Sequence, residues 1–278
     1  MSSESAVDLF MHIRATRYLS AAGLVVLLYD HVLLLADEVE YVWKARWSAT
    51  KVGFLWLRYA VPASVIMHTY QIAGMGNGDL TDKVCQTLFD ISLVIGQITI
   101  FIGNLLVLRH LWNLWHHKTL IVWGSLALLA ATFITSLVCT GVTISNMNAA
   151  LYFDKSLGLC AVSRRGQIPL LWGPGLAFEI AALVMLVYNA LERPRGKHTA
   201  VTWILYRDGF AYFLILFGLR LCNLLLAIFA PVSLIFLAVF FIWCATTVTV
   251  SRFTLNQSRM EILQRSRILA GKDFIAFI

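Results

Sequence analysis

YDHVLLLADEVEYVWKARWSATKVGFLWLRYAVP, residues 29–62, decides the fold. It reads as the end of one apolar helix, a short basic turn around Trp47, and the start of a second helix. Four acids (Asp30, Asp37, Glu38, Glu40) and one arginine (Arg58) sit in or beside sequence otherwise apolar enough for a bilayer. An ionisable group at membrane depth costs about 2.5–3.5 kcal/mol on insertion scales, so such groups face a bundle interior or a water-filled cavity.

The rest of the chain has the same character. Of its 278 residues, 59% are apolar and 13% charged, about half the roughly 25% charged content of a soluble domain. The formal charge is +7, but the basic residues cluster between apolar spans and form no aromatic-basic module, which argues against a nucleic-acid partner. Residues 1–17 lack a short apolar core followed by a small-residue cleavage site. They are expected to be an outside N-terminal segment, with the first span acting as the targeting signal.

Seven stretches approach the roughly 20 apolar residues that a spanning helix needs. They lie near Tyr18–Val39, Val52–Ile72, Val84–Leu108, Leu120–Val142, Leu170–Ala190, Trp203–Phe229 and Val232–Val250. Only Ala230-Pro231 separates the last two, which suits a tight hairpin because proline cannot continue a helix. The expected architecture is an all-α membrane protein: a seven-transmembrane-helix bundle over residues 18–250, followed by a basic tail at 251–278. In the tail, Leu255, Ile262 and Leu269 recur at intervals of seven. That suits an amphipathic helix on an anionic inner leaflet, or else an ordinary solvated basic tail.

Lysine and arginine placement sets the expected orientation. With the N-terminus outside, 14 fall on the inner side, among them Lys44, Arg46, Arg109, Lys118, Arg193, Arg195 and Lys197, and 6 on the outer side. The asymmetry favours an outside N-terminus and a cytoplasmic C-terminus. The basic inner face would suit a cytosolic partner. Cys85 and Cys160 then both face an oxidising side, where a disulfide can persist; the alternative is two free thiols.

Depth follows from the helical rise of about 1.5 Å per residue. Asp37 lies 10 residues before Trp47 and Arg58 lies 11 after it, so Asp37 or Glu38 comes level with Arg58. They either form a partly buried ion pair or snorkel separately to the interface. A second polar set comprises Asp30, Asp90, Glu179, Arg220 and Asn223. On the third span Asp90, Gln97 and Asn104 repeat every seven residues and share one face. This set either hydrogen-bonds between helices or lines an outward pocket with Asp30 at its floor. In a pocket, three carboxyls facing one guanidinium would favour a cationic ligand, or leave one carboxyl protonated.

No lysine lies in the seventh span, no Gly-rich phosphate loop or G-x-S-x-G turn occurs, and the histidines form no spaced metal set. No metal or cofactor is therefore expected. The third span ends in LVLRHLW rather than an acid-Arg-Tyr triplet, and the seventh lacks an Asn-Pro-x-x-Tyr pattern.

Four elements of the hairpin, YDHVLLL (from Tyr29), DEVEYVW (to Trp43), the Trp47 turn and KVGFLWLRY (Lys51 to Tyr59), resemble an uncharacterised fungal seven-span membrane family typical of mushroom-forming fungi. SRFTLN at Ser251–Asn256 is similar to a tail motif of the same family. The resembling domain covers roughly residues 18–65, and the Ala36-Asp37 step departs from a proline common there. The resemblance implies a multi-pass protein and carries no activity. Two functional classes follow: a receptor-like or sensor protein with a small-molecule ligand, or a membrane enzyme of the small terpene-cyclase type. In the enzyme, Asp30, Asp90 or Glu179 would supply the acid, with Trp56 and Trp172 as cation-stabilising walls.

Overall fold

The computed structural model describes residues 6–73, 81–155, 158–192 and 200–276. Residues 1–5 and the loop bases Arg193, Arg195 and Lys197 lie outside them. Nine helices run in the order α1 (Ala6–Leu33), α2 (Leu35–Glu38), α3 (Ala49–Leu55), α4 (Val61–Ile72), α5 (Asp82–Leu114), α6 (Thr119–Met147), α7 (Gly173–Glu192), α8 (Ala200–Phe229) and α9 (Val239–Ala276) among the described residues. One π-helical turn, Val39–Trp43, extends α2, and another, Trp56–Ala60, joins α3 to α4. A two-stranded antiparallel hairpin, β1 (Leu151–Asp154) and β2 (Leu159–Val162), interrupts the expected all-α pattern between α6 and α7.

Five helices are long and apolar enough to cross a membrane, or six if α1 and α2, bent by 55°, make one span. The expected span at 52–72 is helical but is not among them. Arg58, Tyr59, Ser64 and His68 dilute its apolar run. The apolar surface has a clear destination. The most apolar stretch of α6 is only 17% buried inside the protein, and Leu120, Trp123, Ile134 and Val138 are exposed. Burying such a side chain is worth about 1.5–3 kcal/mol, so a surface of this kind is stable in lipid and not in water. The chain is a multi-pass membrane protein.

Two boundaries differ from the sequence reading. Residues 6–17 are helical and run without a break into the first apolar stretch as α1. At the other end, α9 continues unbroken through residue 276. Ser251, Phe253, Thr254 and Leu255 are buried, Phe253 stacking edge-on against His110 at 5.0 Å. The tail motif is therefore the packed continuation of the last helix. Its 38 residues span about 57 Å at 1.5 Å per residue, more than the roughly 40–45 Å of a whole bilayer.

The main core joins Leu57, Val61 and Val65 from the second helical run with Leu108 and Leu111 of α5, Phe178 and Leu186 of α7, and Phe253 of α9. Close approach of α1 and α9 depends on Gly23, where an added Cβ would lie 2.9 Å from the Phe241 Cα.

Candidate functional site

Two polar regions are built into the bundle. The first is the hairpin of residues 30–59. Leu34 adopts φ −96°, ψ 5°, which bends the chain between α1 and α2. Where the helical ladder breaks, Arg58 fills in: its Nη2 donates to the carbonyl of His31 at 2.6 Å and to that of Asp30 at 3.3 Å. Its Nε lies 2.9 Å from Glu38 Oε2, and its Nη1 3.3 Å from Asp30 Oδ2.

Glu38 is fully buried, and its other oxygen accepts from Trp43 Nε1 at 2.9 Å and Tyr59 OH at 2.8 Å. Asp30 Oδ1 takes Arg252 Nε of α9 at 2.6 Å. Lys51 closes the turn, donating to the carbonyls of Trp43 and Ala45, both at 2.9 Å, while Ser48 caps α3 by accepting from the Lys51 amide. A buried ion pair resists its desolvation cost only when its remaining hydrogen-bonding capacity is filled; here each carboxylate oxygen of Asp30 and Glu38 has a donor.

Asp37 has no place in this cluster. Neighbouring helical residues point about 100° apart, and Glu38 has the inward direction. Asp30 likewise belongs to this lock and is not the floor of a pocket. His31 packs edge-on against Tyr59 at 5.2 Å.

The second region is a cavity of about 630 Å³ at the end of the bundle that carries the β-hairpin. Its walls are mostly apolar. They come from α1 (Leu9, Ile13), the end of α4 (His68, Gln71), the first half of α5 (Phe89 to Ile100), the β-hairpin, Trp172, and α9 (Phe240, Trp243). A disulfide between Cys85 and Cys160 ties the β-hairpin to α5 over this cavity.

Of the expected pocket residues, Gln97, Arg220 and Asn223 line the cavity; Asp30, Asp90 and Glu179 do not. Glu179 stands behind Arg220, with Oε1 2.8 Å from the Arg220 Nε, in a contact the N–H does not point along. The polar stripe on α5 ties helices together. Asp90 accepts from Asn148 at 3.3 Å, Gln97 from the Ser136 hydroxyl, and Asn104 from Arg220 Nη2 at 3.1 Å. The cavity thus presents the Arg220 guanidinium, with Glu179 behind it, and the Asp154 carboxylate of β1, instead of the three carboxylates expected.

Sequence reasoning missed His68, Ser92 and Trp243. His68 stacks on Phe240 at 5.0 Å and its Nε2 bonds Ser92 Oγ. Ser92 also donates to the carbonyl of Leu88, which leaves its hydroxyl engaged within its own helix.

Residues 18–63 match a family of unknown function, DUF6533. No curated protein matches the chain. The matched stretch contains Asp30, Glu38, Trp43, Arg58 and Tyr59, that is, the whole hairpin lock apart from Arg252. None of the residues lining the cavity falls within it. What the family model recognises in this chain is therefore the element that folds the first hairpin, while the cavity is built from the remainder.

Proposed function

We propose that this chain is a receptor-like, ligand-binding membrane protein of the fungal seven-span kind that its hairpin resembles. The helical run 49–72 would be the seventh span, the N-terminus would lie outside and the C-terminus in the cytoplasm. The observation that carries the reading is the cavity. It is mostly apolar and, at about 630 Å³, within the roughly 300–1,000 Å³ range of small-molecule sites. The Cys85–Cys160 disulfide over its mouth calls for an oxidising compartment on that side. Lys44, Arg46, Arg109 and Lys118 lie towards the other end, which suits a cytosolic partner.

The terpene-cyclase reading draws less support. An acid that starts cyclisation must reach its substrate, yet none of Asp30, Asp90 and Glu179 lines the cavity. Trp172 lines it; Trp56 instead donates to Thr99 at 3.4 Å. The direct test is photo-crosslinking of the purified full chain with a diazirine-bearing lipophile, with labelled peptides mapped by mass. Saturable labelling of the β-hairpin and of residues 236–246 is expected. Labelling spread evenly over the outer faces of the helices would contradict a binding cavity.

A further inference from the structure

We infer that the cavity takes an uncharged lipophile carrying a hydrogen-bond-accepting oxygen, of the ketone or ester class. This rests on the ligand-binding reading above and narrows it. Two charged side chains line the walls, and each already has an interaction within the protein. Arg220 is balanced by Glu179, and Asp154 on β1 already has its own interactions. Adding a carboxylate or an ammonium to a charge-balanced, apolar space leaves that ion desolvated without a counter-charge. The mostly apolar walls therefore disfavour an ionic headgroup.

The buried lining atoms left without a partner are mostly donors. Among lining residues, Trp172 Nε1, Trp243 Nε1, Gln71 Nε2, Arg220 Nη1 and Asn223 Oδ1 are buried without a hydrogen-bond partner. Gln71 and Asn223 can flip to present either end of their amides, but an indole N–H only donates. Two tryptophans from separate elements, one before α7 and one on α9, therefore supply unpaired donors that only an acceptor can satisfy. Both indoles line the cavity while their N–H groups are buried, so the proposal requires each ring to rotate and bring its N–H to a ligand oxygen. An unpaired buried donor is costly to leave and gains strongly from an acceptor that needs little desolvation of its own.

The experiment uses the full chain in nanodiscs, labelled by a long-chain diazirine ketone, with competitors of matched length: an ester, an alkane, a carboxylate and a quaternary ammonium. The ester should compete at least about tenfold better than the alkane, as one good hydrogen bond in a dry site allows. The carboxylate and the ammonium should do no better than the alkane. The double variant Trp172→Phe, Trp243→Phe keeps the apolar walls, so it should retain alkane competition and lose the tenfold advantage of the ester.

If a charged competitor is best, or the ester advantage survives the double variant, the ligand class is wrong while the cavity stands. If no probe labels the cavity saturably, the binding reading itself fails. Organic extraction of the purified protein separates the sources. A stoichiometric neutral ester or ketone supports the proposal, with its identity telling bilayer lipid from free lipophile, and a stoichiometric charged amphiphile overturns it.

Discussion

Asp30 and Arg252 meet at 2.6 Å across 222 residues of sequence, tying the first helix to the last. The same carboxylate holds Arg58 on its other oxygen. One aspartate thus joins the hairpin that begins the bundle to the helix that ends it.

The two arginines should differ sharply in their worth. Arg58 is 2% exposed and Arg252 46%. Removing one partner of a buried pair typically costs about 3–5 kcal/mol, whereas an exposed pair contributes about 0–1 kcal/mol. Thermal unfolding in detergent should therefore show Arg58→Ala and Glu38→Gln severely destabilised and Arg252→Ala clearly less so, its loss confined to the donor on Asp30 Oδ1. Equal losses for Arg58→Ala and Arg252→Ala would contradict the assignment of Arg58 as the centre of the lock.

Glycine substitutions probe the packing independently. At Gly23 a methyl group meets the backbone of α9 at 2.9 Å, and a backbone cannot rotate away. Gly23→Ala should cost about 1–3 kcal/mol, as overpacking does. At Gly124 an added Cβ meets nothing within 4 Å, so Gly124→Ala should stabilise α6 by up to about 1 kcal/mol through helix propensity. Melting temperatures of the two variants moving in the same direction would refute this picture of the α1–α9 contact.

The disulfide predicts both topology and local stability. Cys85 and Cys160 should resist alkylation until reductant is added, then react with a membrane-impermeant maleimide from outside intact cells. A C-terminal reporter should be active only in the cytosol. Cys160→Ser should free the β-hairpin and cost about 2–4 kcal/mol, with lipophile labelling reduced. Maleimide reaction only after the cells are opened would reverse the proposed orientation.

How much of this was legible in the sequence follows from what a linear pattern encodes. Apolar length identifies membrane helices, and a rise of about 1.5 Å per residue gives depth, so Arg58 could be placed level with the acids of the preceding helix. Rotation about the axis is another matter. The kink at Leu34 gives Glu38 the inward direction, and no letter announces it: no proline or glycine stands there. The cavity was misread for a related reason. Charged letters stand out in apolar sequence and invite a pocket, yet Asp90, Gln97 and Asn104 bind neighbouring helices. The walls are ordinary Leu, Phe and Trp, indistinguishable by pattern from core. The ends were hidden too. Polar residues at 6–17 and 251–255 look solvated until their helices pack, as the buried Thr16 and Ser251 do.

The claim that matters most is that the cavity, and not the ionic hairpin, is where this protein binds. Gly96 lines that cavity, and a Cβ added there meets no atom within 4 Å, so the side chain of Gly96→Phe starts into open space and narrows the cavity. The deciding measurement is saturable photolabelling of wild type and Gly96→Phe with the long-chain diazirine ketone, alongside their melting temperatures. The account predicts unchanged or higher melting and loss of saturable labelling in the variant. Labelling of Gly96→Phe that matches wild type in extent and saturation would contradict it.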